Sequence, residues 1–120
     1  MKKILIIEDN IDIAGLLNDL FKQNGYAAVM CHDGYQGIEF THREKPDLIL
    51  LDMMLPAGGG LYVLEKLKVS TLTKAIPVVV LTASRDMQHK QAAIDMGVDA
   101  YLEKPFDADQ LLATVQGFVG

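Results

Sequence analysis

Pro46-Asp47-Leu48-Ile49-Leu50-Leu51-Asp52 is the stretch that decides the fold. Four successive aliphatic residues lie between a proline and a carboxylate. The run is too short for a helix and apolar at every position, so it describes a strand buried on both faces. Lys3-Ile4-Leu5-Ile6-Ile7 reads the same way, as does Val78-Val79-Val80-Leu81, which Pro77 opens and Thr82 ends. Ala27 to Cys31 is a weaker strand, and Ala100-Tyr101-Leu102 a short one.

Amphipathic stretches separate these runs. From about Ile11 to Gln23, Ile13, Leu16, Leu17, Leu20 and Phe21 recur at three- and four-residue spacing, with Asp9 or Asn10 as cap and Gly25 as a left-handed stop. After the Asp33-Gly34 turn signal, Tyr35 to Arg43 is a second helix that ends before Pro46. Pro56 to Gly60 reads as a loop, and Leu61, Leu64 and Leu67 continue a third helix. A fourth covers roughly Met87 to Met96, closed by Gly97, and the last uses Leu111, Leu112, Val115 and Val119. Five strands alternating with five helices predict a mainly parallel sheet covered on both faces. The expected architecture is a doubly wound (βα)5 three-layer α/β sandwich, flavodoxin-like, with strand order 2-1-3-4-5, formed by one domain over residues 1–120.

Composition narrows the function classes. Half of the 120 residues are hydrophobic and 22% are charged, as in a globular protein. Eleven Lys and Arg against 16 Asp and Glu give a net charge of −5, so a domain-wide basic footprint for nucleic acid is absent. The apolar runs fall far short of a membrane span, and Glu8, Asp9 and Asp12 follow too soon for a signal peptide. A single cysteine, Cys31, excludes an internal disulfide and a Cys-based zinc cluster. The cytoplasm is the expected compartment.

The polar residues fall where open α/β sheets carry their sites, beyond the carboxyl ends of the strands. Glu8 and Asp9 follow the first strand, Asp52 ends the third, Thr82 ends the fourth and Lys104 follows the fifth. In the order 2-1-3-4-5 the first and third strands are neighbours, which brings three carboxylates together. A hard divalent cation relieves their repulsion, and oxygen ligands with retained waters suit Mg²⁺. Asp52 can then attack phosphorus as a nucleophile, while Lys104 and Thr82 hold phosphoryl oxygens.

These residues resemble the receiver domain of two-component response regulators. The matching pieces are IIEDN (6–10), PDLILLDMMLP (46–56), VVVLTAS (78–84) and AYLEKPF (100–106), in order and with compatible spacing along nearly the whole chain. The resemblance implies that Asp52 is the phosphoacceptor. Mg²⁺ would be held by Glu8, Asp9, Asp52 and the backbone carbonyl of Met54. Thr82, Ala83 and Lys104 would bind the phosphoryl group, Thr82 and Tyr101 would form a switch pair, and the Lys104–Pro105 bond would be cis. The implied partners are a sensor histidine kinase or a histidine phosphotransfer protein, then a downstream effector or fused output domain. A second copy of the chain, docked through the fourth helix, fifth strand and fifth helix, is a further implied partner. The chain departs from the pattern at Ala57-Gly58-Gly59-Gly60, where the family often has Met-Asp-Gly. Its last two helices also lack the full set of charged residues that one large transcriptional subfamily uses to dimerise.

Each residue also has a plainer reading. Glu8 and Asp9 could cap the first helix, Asp52 could be a turn residue, Thr82 an ST-turn, Lys104 a solvated lysine and Tyr101 a static core aromatic. Taken together, the strand ends favour the site. The glycine run lacks the Lys-Ser/Thr of a P-loop, and Val63 stands where a dinucleotide fingerprint needs its third glycine. His32, His42 and His89 have no metal-ligand spacing and read as surface residues, and Cys31 as a small buried hydrophobe.

The expected function is a phosphorylation-activated switch. It would catalyse its own phosphorylation and dephosphorylation without being a turnover enzyme. One rival is a phosphorylation-independent interaction module on the same fold, but such modules usually lose a member of the acidic site, which this chain keeps. The other is an Asp-nucleophile phosphatase of the haloacid-dehalogenase type, which needs a second Asp where this chain has Met54. Met54 and Ser84 should flank the path of the hydrolytic water. Because the Met54 side chain cannot orient that water, the phosphorylated state should outlast that of a Met54→Asn variant.

Overall fold

The computed structural model describes residues 1–55 and 59–120. The apolar runs form a five-stranded parallel sheet: β1 (Lys3–Ile7), β2 (Ala27–Cys31), β3 (Leu48–Leu51), β4 (Val78–Thr82) and β5 (Ala100–Glu103). The strand order is β2-β1-β3-β4-β5, as the alternation predicts. Every residue of β3 and β4 is buried, and so are Ile4 to Ile7 in β1, because helices cover both faces. The two outer strands are only partly buried, and their composition is accordingly less aliphatic.

The helices are α1 (Ile11–Gln23), α2 (Gly34–Glu44), α3 (Gly59–Val69), α4 (Met87–Asp95) and α5 (Ala108–Val119). The sheet separates two cores. Leu5, Ile7, Ile49, Leu51 and Val80 pack with Val63, Leu64 and Leu67 of α3 and Ala93 of α4. Ile4, Ile6, Leu50, Val79 and Leu81 pack with Leu17 and Phe21 of α1 and with Leu111 and Val115 of α5. Period-two alternation along each strand sends neighbouring residues to opposite layers.

Most boundaries match the sequence reading to within one or two residues. Asn10, rather than Asp9, caps α1: its side chain accepts the Ile13 N–H at 3.0 Å. Gly25 takes a φ of 88°, which favours glycine as the stop. The one correction to the element boundaries concerns the expected loop from Pro56 to Gly60. Residues 56–58 lie outside the described part, but Gly59 and Gly60 already belong to α3. A Cβ on Gly60 would stand 2.4 Å from the Met53 Cα, so the glycine lets the helix start directly against the loop that follows β3.

Candidate phosphoryl and metal site

Parallel pairing brings the carboxyl ends of β1, β3, β4 and β5 to one edge. Ile7 pairs with Leu51, so Glu8 and Asp52 leave the sheet side by side. Both carboxylates are buried, 2% and 4% exposed, whereas Asp9 is exposed at the mouth. One carboxylate oxygen from each of Glu8, Asp9 and Asp52 lies within 4.8 Å of the others. Because Asn10 does the capping, Asp9 is free of that structural task. Glu8 has one oxygen on the Asn10 N–H at 3.2 Å.

Lys104 enters from the β5 end. Its ammonium donates to Glu8 Oε1 and, at 3.3 Å, to Asp52 Oδ2. Only 12% of its side chain is exposed, so it is not a solvated surface lysine. The Lys104–Pro105 peptide bond is cis. Asp52 Oδ1 accepts the Met54 N–H at 3.0 Å, which fixes the carboxylate's second oxygen, while the Met54 side chain lies half exposed.

Two buried carboxylates share one ammonium, and the charges do not balance. Burial pushes the Glu8 carboxyl up to about 7; the Lys104 hydrogen bond opposes this, and the neighbouring Asp52 charge adds to it. Burial alone would lower Lys104, but Glu8 and Asp52 outweigh it and hold the ammonium above its ordinary range. The all-oxygen set of Glu8, Asp9 and Asp52 therefore carries negative charge beyond what Lys104 neutralises. That is the donor chemistry a hard divalent cation requires.

Thr82 is fully buried at the end of β4, and its hydroxyl accepts the Ser84 N–H at 3.1 Å. The ST-turn reading is thus also correct in geometry. Ala83 is exposed at the mouth. Tyr101 packs against the α3–α4 core, beneath the Lys90 ammonium at 5.6 Å from the ring centroid. Its hydroxyl is buried and has no hydrogen-bond partner among the described residues. Burial raises its pKa, helped by the charges of Glu103, Asp86 and Asp52.

Two histidines assigned to the surface are half-buried at this edge instead. The His32 ring bonds the Glu8 carbonyl at 3.0 Å, and His89 Nδ1 lies 3.2 Å from Ser84 Oγ. The His89 contact spans a loop, which spacing cannot reveal; His32 meets Glu8 because the β1–β2 register sets Cys31 opposite Ile7, and its position just past a strand end was the signal. His42 is exposed, and Cys31 is buried as a small hydrophobe, its thiol pushed up to about 12 by burial and by Asp33.

Comparison with known proteins agrees with this geometry. Residues 4–116 match the family model of the response regulator receiver domain. The chain is 39% identical over 119 residues to the DNA-binding dual master transcriptional regulator RpaA of Synechocystis, covering 99% of this chain and 49% of that protein. It therefore spans about half the length of this relative. Sporulation initiation phosphotransferase F of Bacillus subtilis is 33% identical over 118 residues, which is 98% of this chain and 94% of that one. Among solved structures, the receiver domain of a Pseudomonas aeruginosa sensor histidine kinase, with magnesium coordinated in its active-site cleft, superposes with a TM-score of 0.90. It is 26% identical and covers 99% of this chain and 98% of that one.

Proposed function

The chain belongs to the response regulator receiver domain family, and on that premise we propose that it is a phosphorylation-activated switch whose phosphoacceptor is Asp52. The observation that carries this reading is the convergence of Glu8, Asp9, Asp52 and Lys104 at one sheet edge. A phosphohistidine on a sensor kinase or phosphotransfer protein is the donor. An Asp52 oxygen bonds to phosphorus as the phosphorus–nitrogen bond breaks, and the departing imidazole keeps the electron pair and takes a proton. Glu8, Asp9, Asp52 and the Met54 carbonyl would hold Mg²⁺, and the ion would supply charge neutralisation for the phosphoryl oxygens.

The chain's own groups do the rest. Lys104, already on Asp52, donates to a phosphoryl oxygen, and its ammonium state is secured by the carboxylates around it. The Thr82 hydroxyl donates to another. Ala83 has no side-chain donor, so its main-chain N–H is what it offers. The new contacts differ between the free and phosphorylated states, and such a difference is what shifts a conformational equilibrium. Tyr101 reads that shift on the face made by α4, β5 and α5; α4 carries the exposed Met87 and Ile94, and α5 the exposed Phe118. An effector or fused output domain, or a second copy of the chain, docks there. The compartment is the cytoplasm; no helix among the described residues is long and apolar enough to cross a membrane.

Mixing the chain with a phosphohistidine-bearing donor and Mg²⁺ should transfer a single phosphoryl group per chain, with no sustained release from a generic phosphomonoester. Continuous turnover of the phosphomonoester would instead favour a phosphatase.

A further inference from the structure

We propose that His89 is a positioning residue: through its hydrogen bond to Ser84 it sets which way the Ser84 hydroxyl faces, and so how fast phosphorylated Asp52 is hydrolysed. The inference rests on the proposed function, since it concerns the fate of the same phosphoryl group. Ser84 sits between the site and α4. Its N–H donates to the Thr82 hydroxyl at 3.1 Å, and its own hydroxyl accepts the Asp86 N–H at 3.3 Å and meets His89 Nδ1 at 3.2 Å. His89 also lines a hollow of about 180 Å³ with Met53, Gly59, Gly60 and Leu61. That hollow abuts the loop carrying Asp52, because Gly60 packs against the Asp52 carbonyl and the Met53 backbone.

The Ser84 oxygen already accepts the Asp86 N–H, so the contact with His89 is filled by the Ser84 proton, with Nδ1 bare and the ring proton on Nε2. The Asp86 carboxylate, 3.9 Å from Nε2 and beyond hydrogen-bond reach, adds only its charge on that side. Ser84 then gives its proton to Nδ1. One lone pair of its oxygen is taken by Asp86, and the second is free to accept from a water. A water held in that way presents its oxygen to phosphorus. The oxygen–phosphorus bond forms as the bond to Asp52 breaks, the electron pair returns to the carboxylate, and both protons of the water leave on dihydrogen phosphate. Ser84 and His89 end unchanged. Met54, a thioether, accepts only weakly and donates nothing, so orientation of the water falls to Ser84. Without an acceptor at position 89, the Ser84 proton turns toward the site and the lone pair is lost.

The test measures two rates on the whole chain by intact mass: phosphate uptake from acetyl phosphate with Mg²⁺, and loss of phosphate after the donor is removed. His89→Leu and Ser84→Ala should each slow the loss about threefold or more, and the double variant should be no slower than either, as for residues acting as one unit. His89→Gln, whose amide oxygen accepts the same bond, should stay within about twofold of the unaltered chain. Uptake by His89→Leu and His89→Gln should stay within about twofold of the unaltered chain, which a distorted site would not allow. Loss at the unaltered rate in His89→Leu, a His89→Gln as slow as His89→Leu, or uptake slowed in proportion to loss would overturn the inference alone. A chain that takes up no phosphate at all would overturn the proposed function and this inference with it.

Discussion

Glu8 carries the electrostatic tension of the molecule. Its carboxyl is raised from an ordinary 4.5 to about 7, so the folded chain binds more protons than the unfolded one between those values. The resulting stabilisation is complete below the lower value and is lost as the pH rises through the upper one. The shift corresponds to at most about 3 kcal/mol. Urea unfolding without Mg²⁺ should therefore show a midpoint that falls between pH 4.5 and 7, and Glu8→Gln should remove that slope. Added Mg²⁺ should stabilise most at the alkaline end, where the carboxylates are all ionised. A midpoint independent of both pH and the substitution would contradict this reading of the site. Met54 presents the complementary case, of a side chain that does too little. Its half-exposed thioether cannot order a water, so Met54→Asn should shorten the life of the phosphorylated chain in a decay measured by intact mass; an unchanged decay would remove Met54 from the explanation.

At the scale of elements, strand ends were legible in the sequence because the aliphatic runs stop abruptly at polar residues. Leu51 to Asp52 and Leu81 to Thr82 are such stops, and both polar residues are buried at the same sheet edge. The start of α3 was not legible. Glycines weaken a helix locally, so Gly59-Gly60 reads as loop, and only the tertiary approach of Met53 shows why a helix begins there. The two close glycines should respond differently to a methyl group. At Gly37 the new Cβ meets the Ile7 side chain, its terminal methyl at 2.7 Å, whereas at Gly60 it meets backbone at 2.4 Å. Gly60→Ala should cost about 2–3 kcal/mol in urea unfolding and Gly37→Ala about 1 kcal/mol or less. Equal costs would mean that the α3 start yields freely. The His89 contact was hidden for a related reason, since it crosses the loop after β4 and loop geometry leaves no periodic mark in a sequence, whereas the His32 contact follows from the β1–β2 register that sets Cys31 opposite Ile7.

At the scale of the whole molecule, five parallel strands turn residues far apart in the chain into one pouch. Lys104 lies 96 residues from Glu8 and 52 from Asp52, yet donates to both. The buried, two-sided sheet makes that edge rigid, and the exposed Asp9 leaves it open to an incoming group. The measurement that bears most directly on the central claim is the intact mass of the chain after incubation with acetyl phosphate. With Mg²⁺ the chain should gain the mass of one phosphoryl group, and it should gain none when Mg²⁺ is chelated or when Asp52 is replaced by Asn. An equal gain in Asp52→Asn, or none in the unaltered chain with Mg²⁺ present, would contradict it.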